Sequence, residues 1–475
     1  MSDFEMPAFD MAVIGAGAAG LSVTAGAAQL GANVVLIERD RMGGDCLNSG
    51  CVPSKALLAA SHLASAARAG DRFGVSFAEP RIDWASVRAH VQGVIAAIAP
   101  VDSEERYRGL GATVMKAEAK FAAPDTLLVD GRRITAKRIV IAAGSRASIP
   151  PIPGLDTVPY LTNATLFDLT ERPDHLLILG GGPIGLEMAD AFAGLGSKVT
   201  VVEAATIAGR DDPELVAVLR AALRARGVVI EEGVAVTDVE PGPALTLADG
   251  RRVSGSHLLV AVGRRPNLEG LDLEAGGIAA SRLGVITDPG LRSRTNKRIF
   301  AVGDIADPEG IGPRQFTHVG AYHAGIVIRR ALFRLPARAD YSALPRVTYT
   351  SPELAQTGMT EAEARAAGHT VEILRWTMAE NDRAMAERET NGLVKLVVSH
   401  GRIIGAGIVA PHAGEMIGQW TLAIARRVKL SSLAGLIAPY PTYGEAGKRA
   451  VGAHFAPKLF APRTRALVRM LGWLP

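Results

Sequence analysis

The amino-acid sequence predicts an α/β protein of three units, and three observations support that prediction. Near the N-terminus an apolar run is followed by a glycine fingerprint and an alanine-rich segment, and the same succession returns later in the chain. Strand, glycine turn, helix and strand in that order are typical of a Rossmann-like dinucleotide-binding domain. After Tyr341 strand-like and helical runs alternate without a fingerprint, which predicts a C-terminal α+β unit.

The first fingerprint consists of Gly15, Gly17 and Gly20, and it follows a predicted strand over residues 9–14. Glycines allow a tight turn and the close approach of a pyrophosphate, which the N-terminus of the following helix attracts. The next predicted strand ends in Glu38, which is placed to accept a hydrogen bond from a ribose hydroxyl. The pattern therefore predicts a dinucleotide site.

The second fingerprint, Gly180, Gly182 and Gly185, follows a predicted strand over residues 175–179. The strand after its helix ends in Glu203, which should bond the ribose 2′-OH of NAD and repel the 2′-phosphate of NADP. No arginine follows Glu203 directly, so NAD is favoured and NADP remains possible.

The predicted strand over residues 138–143 runs into Gly144, and the proline-rich residues 149–154 resemble an inter-domain linker. Later segments return towards the first unit, and one of them leads into Gly303 and Asp304. We expect a first dinucleotide domain, a second dinucleotide domain, a return segment that completes the first domain and a C-terminal α+β domain, in the order 1–148, 149–268, 269–338 and 339–475.

Charge and cysteine content restrict the class of protein. A formal net charge of +4 is small for 475 residues, so nucleic acid is not an expected partner. Two cysteines form no structural disulfide framework, and such a pair is typical of the reducing cytosol. The acidic start, residues 1–5, lacks the basic beginning of a secretory signal. We therefore expect a cytoplasmic protein, and no metal-ligand signature is present in the sequence.

Both cysteines, Cys46 and Cys51, lie in the stretch Gly-Gly-Asp-Cys-Leu-Asn-Ser-Gly-Cys-Val-Pro-Ser-Lys. In one continuous helix the two sulfurs would point apart, so the stretch predicts a distorted turn in which Asn48 and Gly50 tolerate left-handed angles. Pro53 suits the first turn of a helix, which places Cys51 near a helix N-terminus that favours a thiolate. The alternative is a pair of unrelated buried cysteines.

Together these residues resemble the class I pyridine nucleotide–disulfide oxidoreductases, which include dihydrolipoamide dehydrogenase, glutathione reductase and mercuric reductase. The resemblance covers essentially the whole chain. It depends on the cysteine stretch, both fingerprints and four further motifs: residues 263–267 (Gly-Arg-Arg-Pro-Asn), 301–304 (Ala-Val-Gly-Asp), 349–353 (Tyr-Thr-Ser-Pro-Glu) and 411–415 (Pro-His-Ala-Gly-Glu).

The resemblance implies that the first unit binds FAD, the second binds NAD, and the third forms a homodimer with a shared active site. The implied FAD residues are Gly15, Gly17, Gly20, Glu38, Gly44, Lys55, Ala119, Gly144, Gly303 and Asp304. The implied NAD residues are Gly180, Gly182, Gly185, Glu203, Val236, Gly263 and Arg264.

The resemblance also implies the chemistry of the site. NADH reduces the flavin, and the flavin reduces the Cys46–Cys51 disulfide. Cys51 is then the thiolate beside the flavin, and Cys46 is the thiol that meets the substrate. Lys55 lies near the flavin with Glu187 as its ion-pair partner. The alternatives are a solvated surface lysine for Lys55 and an ordinary helix acid for Glu187.

One position departs from the thiol-reducing members of the family, which carry His-Pro-Thr with a glutamate five residues after the histidine. This chain has Tyr440-Pro441-Thr442 and retains Glu445. A tyrosine pKa is about 3.5 units above that of histidine, so Tyr440 would be a poor base. Mercuric reductases show tyrosine here, and the chain resembles that branch most.

The sequence therefore predicts an FAD-dependent oxidoreductase whose acceptor is a metal ion of the Hg(II) type, a quinone or another non-dithiol. The alternatives are a dihydrolipoamide dehydrogenase or small-disulfide reductase, and a flavoprotein redox partner at a membrane surface. The last alternative depends on residues 458–475, a basic amphipathic tail that could lie on a membrane surface, although the sequence favours a packing helix at a domain edge. His318 and His323 are expected to be core or surface residues without a metal.

Overall fold

The computed structural model describes residues 9–474. The first unit is built on a seven-stranded sheet whose central strand, Phe9–Ile14, pairs in parallel with two neighbours. Met11, Ala12 and Val13 are fully buried, as expected for a parallel strand covered on both faces. The strands of this sheet are Thr113–Lys116, Val34–Glu38, Phe9–Ile14, Arg132–Ile141, Thr126–Val129, Ala119–Ala123 and, beside Arg132–Ile141, Ile299–Ala301.

The second unit repeats the parallel arrangement in a smaller sheet. Its four parallel strands are, in spatial order, Val229–Glu232, Lys198–Glu203, His175–Leu179 and His257–Val260. An antiparallel sheet of Val236–Glu240, Ala244–Leu247 and Arg252–Ser254 packs beside it. A two-stranded sheet, Ser145–Ala147 with Arg264–Pro266, pairs segments that follow the two parallel sheets. A small sheet of Ala280–Ser281, Gly284–Thr287 and Ala306–Pro308 lies within the return segment.

Helices cover both parallel sheets, as in doubly wound folds. The first fingerprint helix, Ala18–Gln29, packs on Thr317–Ala331, and the second fingerprint helix, Pro183–Gly194, packs on Cys51–Arg68. The other helices before the third unit are Gly44–Asn48, Trp84–Ile98, Glu104–Gly109, Asn163–Leu166 and Pro213–Ala225, with 3₁₀ turns at Gly70–Phe73, Ala99–Asp102, Leu155–Thr157 and Gly303–Ile305.

The third unit is an antiparallel sheet with its own apolar core. Its strands are, in spatial order, Arg346–Thr348, Glu353–Gly358, Arg402–Ala410, Leu393–Ser399 and Glu372–Thr377. Its helices are Glu361–Ala366, Asp382–Ala386, Ala413–Ala425, Leu430–Ala434, Glu445–Leu459 and Pro462–Leu471, with a 3₁₀ turn at Met378–Glu380.

The predicted fold class is confirmed: two parallel α/β units precede an antiparallel α+β unit. The domain boundaries themselves stay a prediction. Strand Ile299–Ala301 pairs with Arg132–Ile141, which shows the predicted return of the chain to the first sheet. None of the helices between residues 9 and 474 combines the length and the apolar character needed to cross a bilayer.

Candidate active site

The two cysteines lie on consecutive short elements. Cys46 belongs to helix Gly44–Asn48, and Cys51 is the first residue of the cysteine helix, Cys51–Arg68. The predicted break between them is present, but the predicted left-handed angles are wrong: Asn48 is helical and Gly50 has φ −130°. The left-handed residues are Gly43 and Gly44. Gly50 is required for a different reason, since an added Cβ would lie 2.9 Å from the carbonyl oxygen of Asp45.

The two sulfurs are within hydrogen-bonding contact, and in the reduced form the two groups differ in acidity. The hydrogen bond from Cys46 lowers the pKa of Cys51 to about 6, with help from the Thr317 hydroxyl, 3.3 Å from Cys51 Sγ, and from the charge of Lys55. The same bond, together with burial, raises the pKa of Cys46. Cys51 is therefore a thiolate at neutral pH while Cys46 holds the proton.

Two helix N-termini converge on Cys51. It begins the cysteine helix, and its hydrogen-bond partner Thr317 begins the helix Thr317–Ala331. The partial positive charge of a helix N-terminus stabilises an anion. The structure therefore surrounds this sulfur with a thiol proton, a hydroxyl and two helix dipoles.

Lys55 lies one turn after Cys51 and forms the predicted pair with Glu187. Its Nζ is 2.7 Å from Glu187 Oε2 and 4.3 Å from the centre of the Tyr349 ring. The other carboxylate oxygen of Glu187 accepts the backbone N–H of Tyr349 at 3.1 Å. This pair thus joins the cysteine helix, the second fingerprint helix and the third unit.

Asp190, one turn after Glu187, joins the same three parts of the molecule and is fully buried. One oxygen accepts from the Arg226 guanidinium, and the other lies 3.3 Å from His62 Nε2 and 3.0 Å from the backbone N of Ser351. A buried carboxylate needs such partners, because an unpaired charge is costly inside a protein.

The glycine turns fit a dinucleotide at both units. Gly15 and Gly180 have φ +102° and +114°, and an added Cβ at Gly20 or Gly185 would lie 1.9 or 2.1 Å from the carbonyl oxygen of Gly15 or Gly180. Around Gly182, Gly144 and Gly263 an added Cβ would meet no atom within 4 Å. The start of each fingerprint helix is therefore packed tightly against its own turn, while Gly182, Gly144 and Gly263 border open space.

Glu38 and Glu203 occupy equivalent places at the ends of their strands. Glu38 accepts the backbone N–H of Ala16 at 2.5 Å, and Glu203 accepts that of Gly181 at 2.7 Å. The carboxylates thus fix the fingerprint turns and keep further lone pairs for a ribose hydroxyl. Ala119 begins the edge strand Ala119–Ala123 of the first sheet, and Val236 begins Val236–Glu240 of the antiparallel sheet beside the second.

Arg264, assigned to NAD by resemblance, contacts mainly residues of the first unit. It donates to Ser145 Oγ at 2.7 Å and to Asp45, and its Nε lies 3.8 Å from Asp304 Oδ2. Ser145 in turn donates to Asp304 at 2.5 Å, while burial raises the pKa of Asp304. Arg264 therefore connects the Cys46 helix to the Gly303–Asp304 turn, and its role towards NAD stays a prediction.

His323 lies beneath that turn and is fully buried. Its Nδ1 accepts the backbone N–H of Gly303 at 3.0 Å, so Nε2 carries the proton and donates to Tyr341 Oη at 2.6 Å. Burial lowers the pKa of His323 to about 4. His318 binds the carbonyl oxygen of Pro345 at 3.0 Å, and no group of three metal-binding side chains exists among residues 9–474.

Tyr440 and Glu445 lie on the third unit, away from the cysteines of the same chain. Tyr440 is 67% exposed and donates to Asp382 at 2.9 Å, and this bond raises its pKa. Glu445 pairs with Arg449 at 2.8 Å. Within residues 9–474 neither side chain makes a hydrogen bond to Cys46 or Cys51.

Sequence reasoning gave no role to several residues of this site. Thr317 belongs to none of the motifs that the sequence shows, and Tyr349 belongs to one without a role of its own. Thr317 and Cys51 are 266 positions apart, and no pattern of spacing signals such a contact. Asp45 lies inside the cysteine stretch, but nothing in the sequence indicated that Arg264 would be its partner. The omitted residues are Asp45, His62, Ser145, Asp190, Thr317, His323 as a contact of the turn, and Tyr349.

The fold and the cysteine site define the class of protein. Residues 9–362 match the family model "Pyridine nucleotide-disulphide oxidoreductase", and residues 344–451 match its dimerisation domain. The chain belongs to this family. It is an FAD-dependent oxidoreductase that uses NAD(P).

Two relatives match this chain over nearly the full length of both proteins. A mercuric reductase of Streptomyces lividans is 37% identical over 462 residues, which cover 93% of this chain and 95% of the relative. A dihydrolipoyl dehydrogenase of Geobacillus stearothermophilus is 34% identical, with 91% of this chain and 93% of the relative covered.

Among solved structures, the Cu(II) complex of the HOCl-induced flavoprotein disulfide reductase RclA from Escherichia coli superposes with a TM-score of 0.82. Its identity is 28%, over 92% of this chain and 98% of RclA. LpdA from Mycobacterium tuberculosis gives a TM-score of 0.83 at 28% identity, over 93% of this chain and 99% of LpdA.

Proposed function

We propose that this enzyme passes electrons from NAD(P)H to Cys46 and Cys51 and then to an acceptor that is not a dithiol. The acceptor is a soft metal ion such as Hg(II) or Cu(II), or a quinone. The observation that supports this choice is the tyrosine in the Pro-Thr motif of the third unit. Its hydroxyl is engaged with Asp382 and its pKa is raised, so it does not take a proton from a thiol substrate.

The cysteine pair has the acidity that such a reaction requires. Bound FAD would supply the two-electron transfer from NAD(P)H to the disulfide, which opens with uptake of one proton to a thiol on Cys46 and a thiolate on Cys51. Cys51 remains a thiolate because Cys46, Thr317 and Lys55 stabilise it. Cys46 keeps its proton and becomes the sulfur that meets the acceptor. Hg(II) binds the two sulfurs directly, which releases the Cys46 proton to solvent, and it accepts both electrons as the disulfide reforms, whereas Cu(II) accepts one electron per ion and two ions are reduced in each cycle. Binding of the metal thus displaces the proton, and no histidine base is needed.

The relatives support both the class and the choice of acceptor. Proteins named mercuric reductase match over nearly the full chain, and a structural neighbour was solved with Cu(II). The relative named dihydrolipoyl dehydrogenase keeps a second candidate open, namely turnover of a dithiol or small disulfide. The two candidate functions differ only in the electron acceptor. Rates of turnover with metal ions or quinones and with dithiols or disulfides therefore distinguish them.

We further propose a cytoplasmic homodimer that prefers NADH. The match to a dimerisation domain and the exposed Tyr440 support a site in which this residue and Glu445 of one subunit face the cysteines of the other. A pair of thiols that must be reduced in every cycle suits a reducing compartment. Glu203 supports NADH, because a carboxylate repels a 2′-phosphate.

The test is an anaerobic titration of the holoenzyme with NADH, followed by mixing with single acceptors. The long-wavelength absorbance of a thiolate beside oxidised flavin reports the reduced cysteines. We expect rapid loss of that absorbance with Hg(II), Cu(II) or a quinone, and slow loss with lipoamide or glutathione disulfide. The matched variant is Tyr440→His, which should raise lipoamide turnover by about tenfold or more, since it supplies a base with a suitable pKa.

Rapid discharge of the wild-type enzyme by lipoamide would contradict the proposal and favour the second candidate. A Cys46→Ser variant that still discharged to metal ions at the wild-type rate would contradict the role of the pair. Cys51→Ser provides the complementary control, because it should lose the absorbance itself.

A further inference from the structure

The C-terminal segment differs in charge from the rest of the molecule. After Glu445 the sequence has six lysines and arginines and no acidic residue, whereas the preceding residues hold 46 basic and 48 acidic side chains. The positive net charge of the protein therefore resides in this segment. A basic segment attached to a slightly acidic body is typical of proteins that bind an anionic surface.

The segment ends in the tail helix, Pro462–Leu471, which has no buried residue. Leu467 and Leu471 are each 48% exposed on one face. Arg465 and Arg469 precede them by two positions and therefore project from the opposite face, about 200° round the helix. The tail helix is amphipathic, and residues 9–474 bury none of its side chains.

Aromatic residues flank the tail helix at both ends. Phe460 is 60% exposed just before it, and Trp473 is 90% exposed just after it. Aromatic side chains favour the boundary between acyl chains and headgroups, where tryptophan also finds a partner for its N–H. The alternative predicted from the sequence, a helix that packs on the edge of its own domain, does not agree with this exposure.

We propose that the tail helix binds the surface of a membrane that contains anionic lipids. It lies in the plane of the interface, with Leu467, Leu471 and Trp473 towards the acyl chains and Arg465 and Arg469 among the headgroups. The excess of basic residues after Glu445 favours an anionic lipid surface over a second copy of the chain as the partner of the tail helix. The match to the dimerisation domain ends at residue 451, before the tail helix begins. The inference is independent of the electron acceptor.

The test is sedimentation of the full-length holoenzyme with vesicles, followed by flavin absorbance in the pellet. We expect vesicles of phosphatidylcholine and phosphatidylglycerol to bind at least about tenfold more protein than phosphatidylcholine alone, with loss of the difference at high salt. Leu467→Glu with Leu471→Glu should abolish binding. Arg463→Glu, Arg465→Glu and Arg469→Glu together should reduce it to the level of phosphatidylcholine.

The matched control reverses three exposed arginines elsewhere, Arg132→Glu, Arg133→Glu and Arg282→Glu, and should retain binding. Oligomeric state is measured by light scattering on every variant, and flavin content shows that each is folded. Equal binding to both vesicle types, or none to either, would overturn the proposal. A leucine variant with half the wild-type mass would also overturn it, because the tail helix would then cover a second copy.

Discussion

The two fingerprint units are nearly identical in their turns and differ in their helices. Gly15 and Gly180 both have strongly positive φ, and an added Cβ at either would lie 2.5 Å from the carbonyl oxygen of the residue that follows the neighbouring strand. Each strand-end glutamate bonds the backbone of its own turn. Backbone geometry, which any dinucleotide requires, is therefore the part that the two units share.

The helices carry different side chains at equivalent positions. Two residues after the last fingerprint glycine the first helix has Ser22, which bonds its own helix, and the second has Glu187, which pairs with Lys55. Three residues further the first has Ala25 and the second Asp190. In the second unit the helix that follows the binding turn therefore also contacts the cysteine helix and the third unit.

The largest expected effect is that of closing either turn. Gly20→Ala should yield protein without FAD, whereas Gly185→Ala should keep FAD but not be reduced by NADH. Each methyl group would overlap a backbone oxygen, and such overpacking costs about 1–3 kcal/mol or more. Flavin absorbance and an anaerobic NADH titration measure the two outcomes.

Gly93→Ala is the control, since no atom lies within 4 Å of its added Cβ. Equal loss of FAD in both variants would contradict the division of roles.

The next effect concerns the connection that only the second unit has. Asp190→Asn should lower stability by about 3 kcal/mol, because Arg226 loses its buried partner. Thermal unfolding followed by circular dichroism measures the change. Asp190→Asn combined with Arg226→Met should recover part of the loss, since neither charge is then left unpaired. A single variant as stable as the wild type would show that the pair contributes nothing to folding.

A smaller effect should distinguish Glu38 from Glu203, the glutamates at the ends of the two strands. Glu203→Gln should lower the ratio of kcat/KM for NADH to that for NADPH by about tenfold, because the repulsion of a 2′-phosphate and a charged hydrogen bond are lost. Glu38→Gln should leave this ratio unchanged and weaken FAD retention instead. Steady-state kinetics with both nucleotides provides the measurement. An unchanged ratio in Glu203→Gln would remove the basis for the preference for NADH.

The smallest effect is on the acidity of Cys51. Its pKa of about 6 means that the thiolate is present at neutral pH and is lost as the pH falls through that value. Lys55→Met removes a stabilising charge and should shift the profile upwards by roughly one unit or less. The rate of iodoacetamide alkylation of the NADH-reduced enzyme against pH measures the shift. Lys297→Met, at an exposed lysine, should leave the profile unchanged, and an equal shift there would exclude a local effect of Lys55.

Much of the site could be predicted because its signals are local. The fingerprints, the strand-end glutamates and the cysteine stretch each occupy a few dozen residues or fewer, and their spacing reflects backbone geometry. The break between Cys46 and Cys51 was predicted, but its angles were wrong at Asn48 and Gly50. Glycine is required at position 50 because a side chain there would overlap the carbonyl oxygen of Asp45. Backbone propensities do not report crowding of this kind.

The sequence by itself determined the class of fold, the position of both glycine turns and the chain break that separates Cys46 from Cys51. Only the tertiary structure placed Thr317 beside Cys51, Arg264 beside Asp45, and the tail helix in the open. The physical reason is that these features depend on contacts between distant segments. Local sequence specifies turns and helix ends through short-range sterics, whereas side-chain partners across units depend on how whole sheets and helices pack.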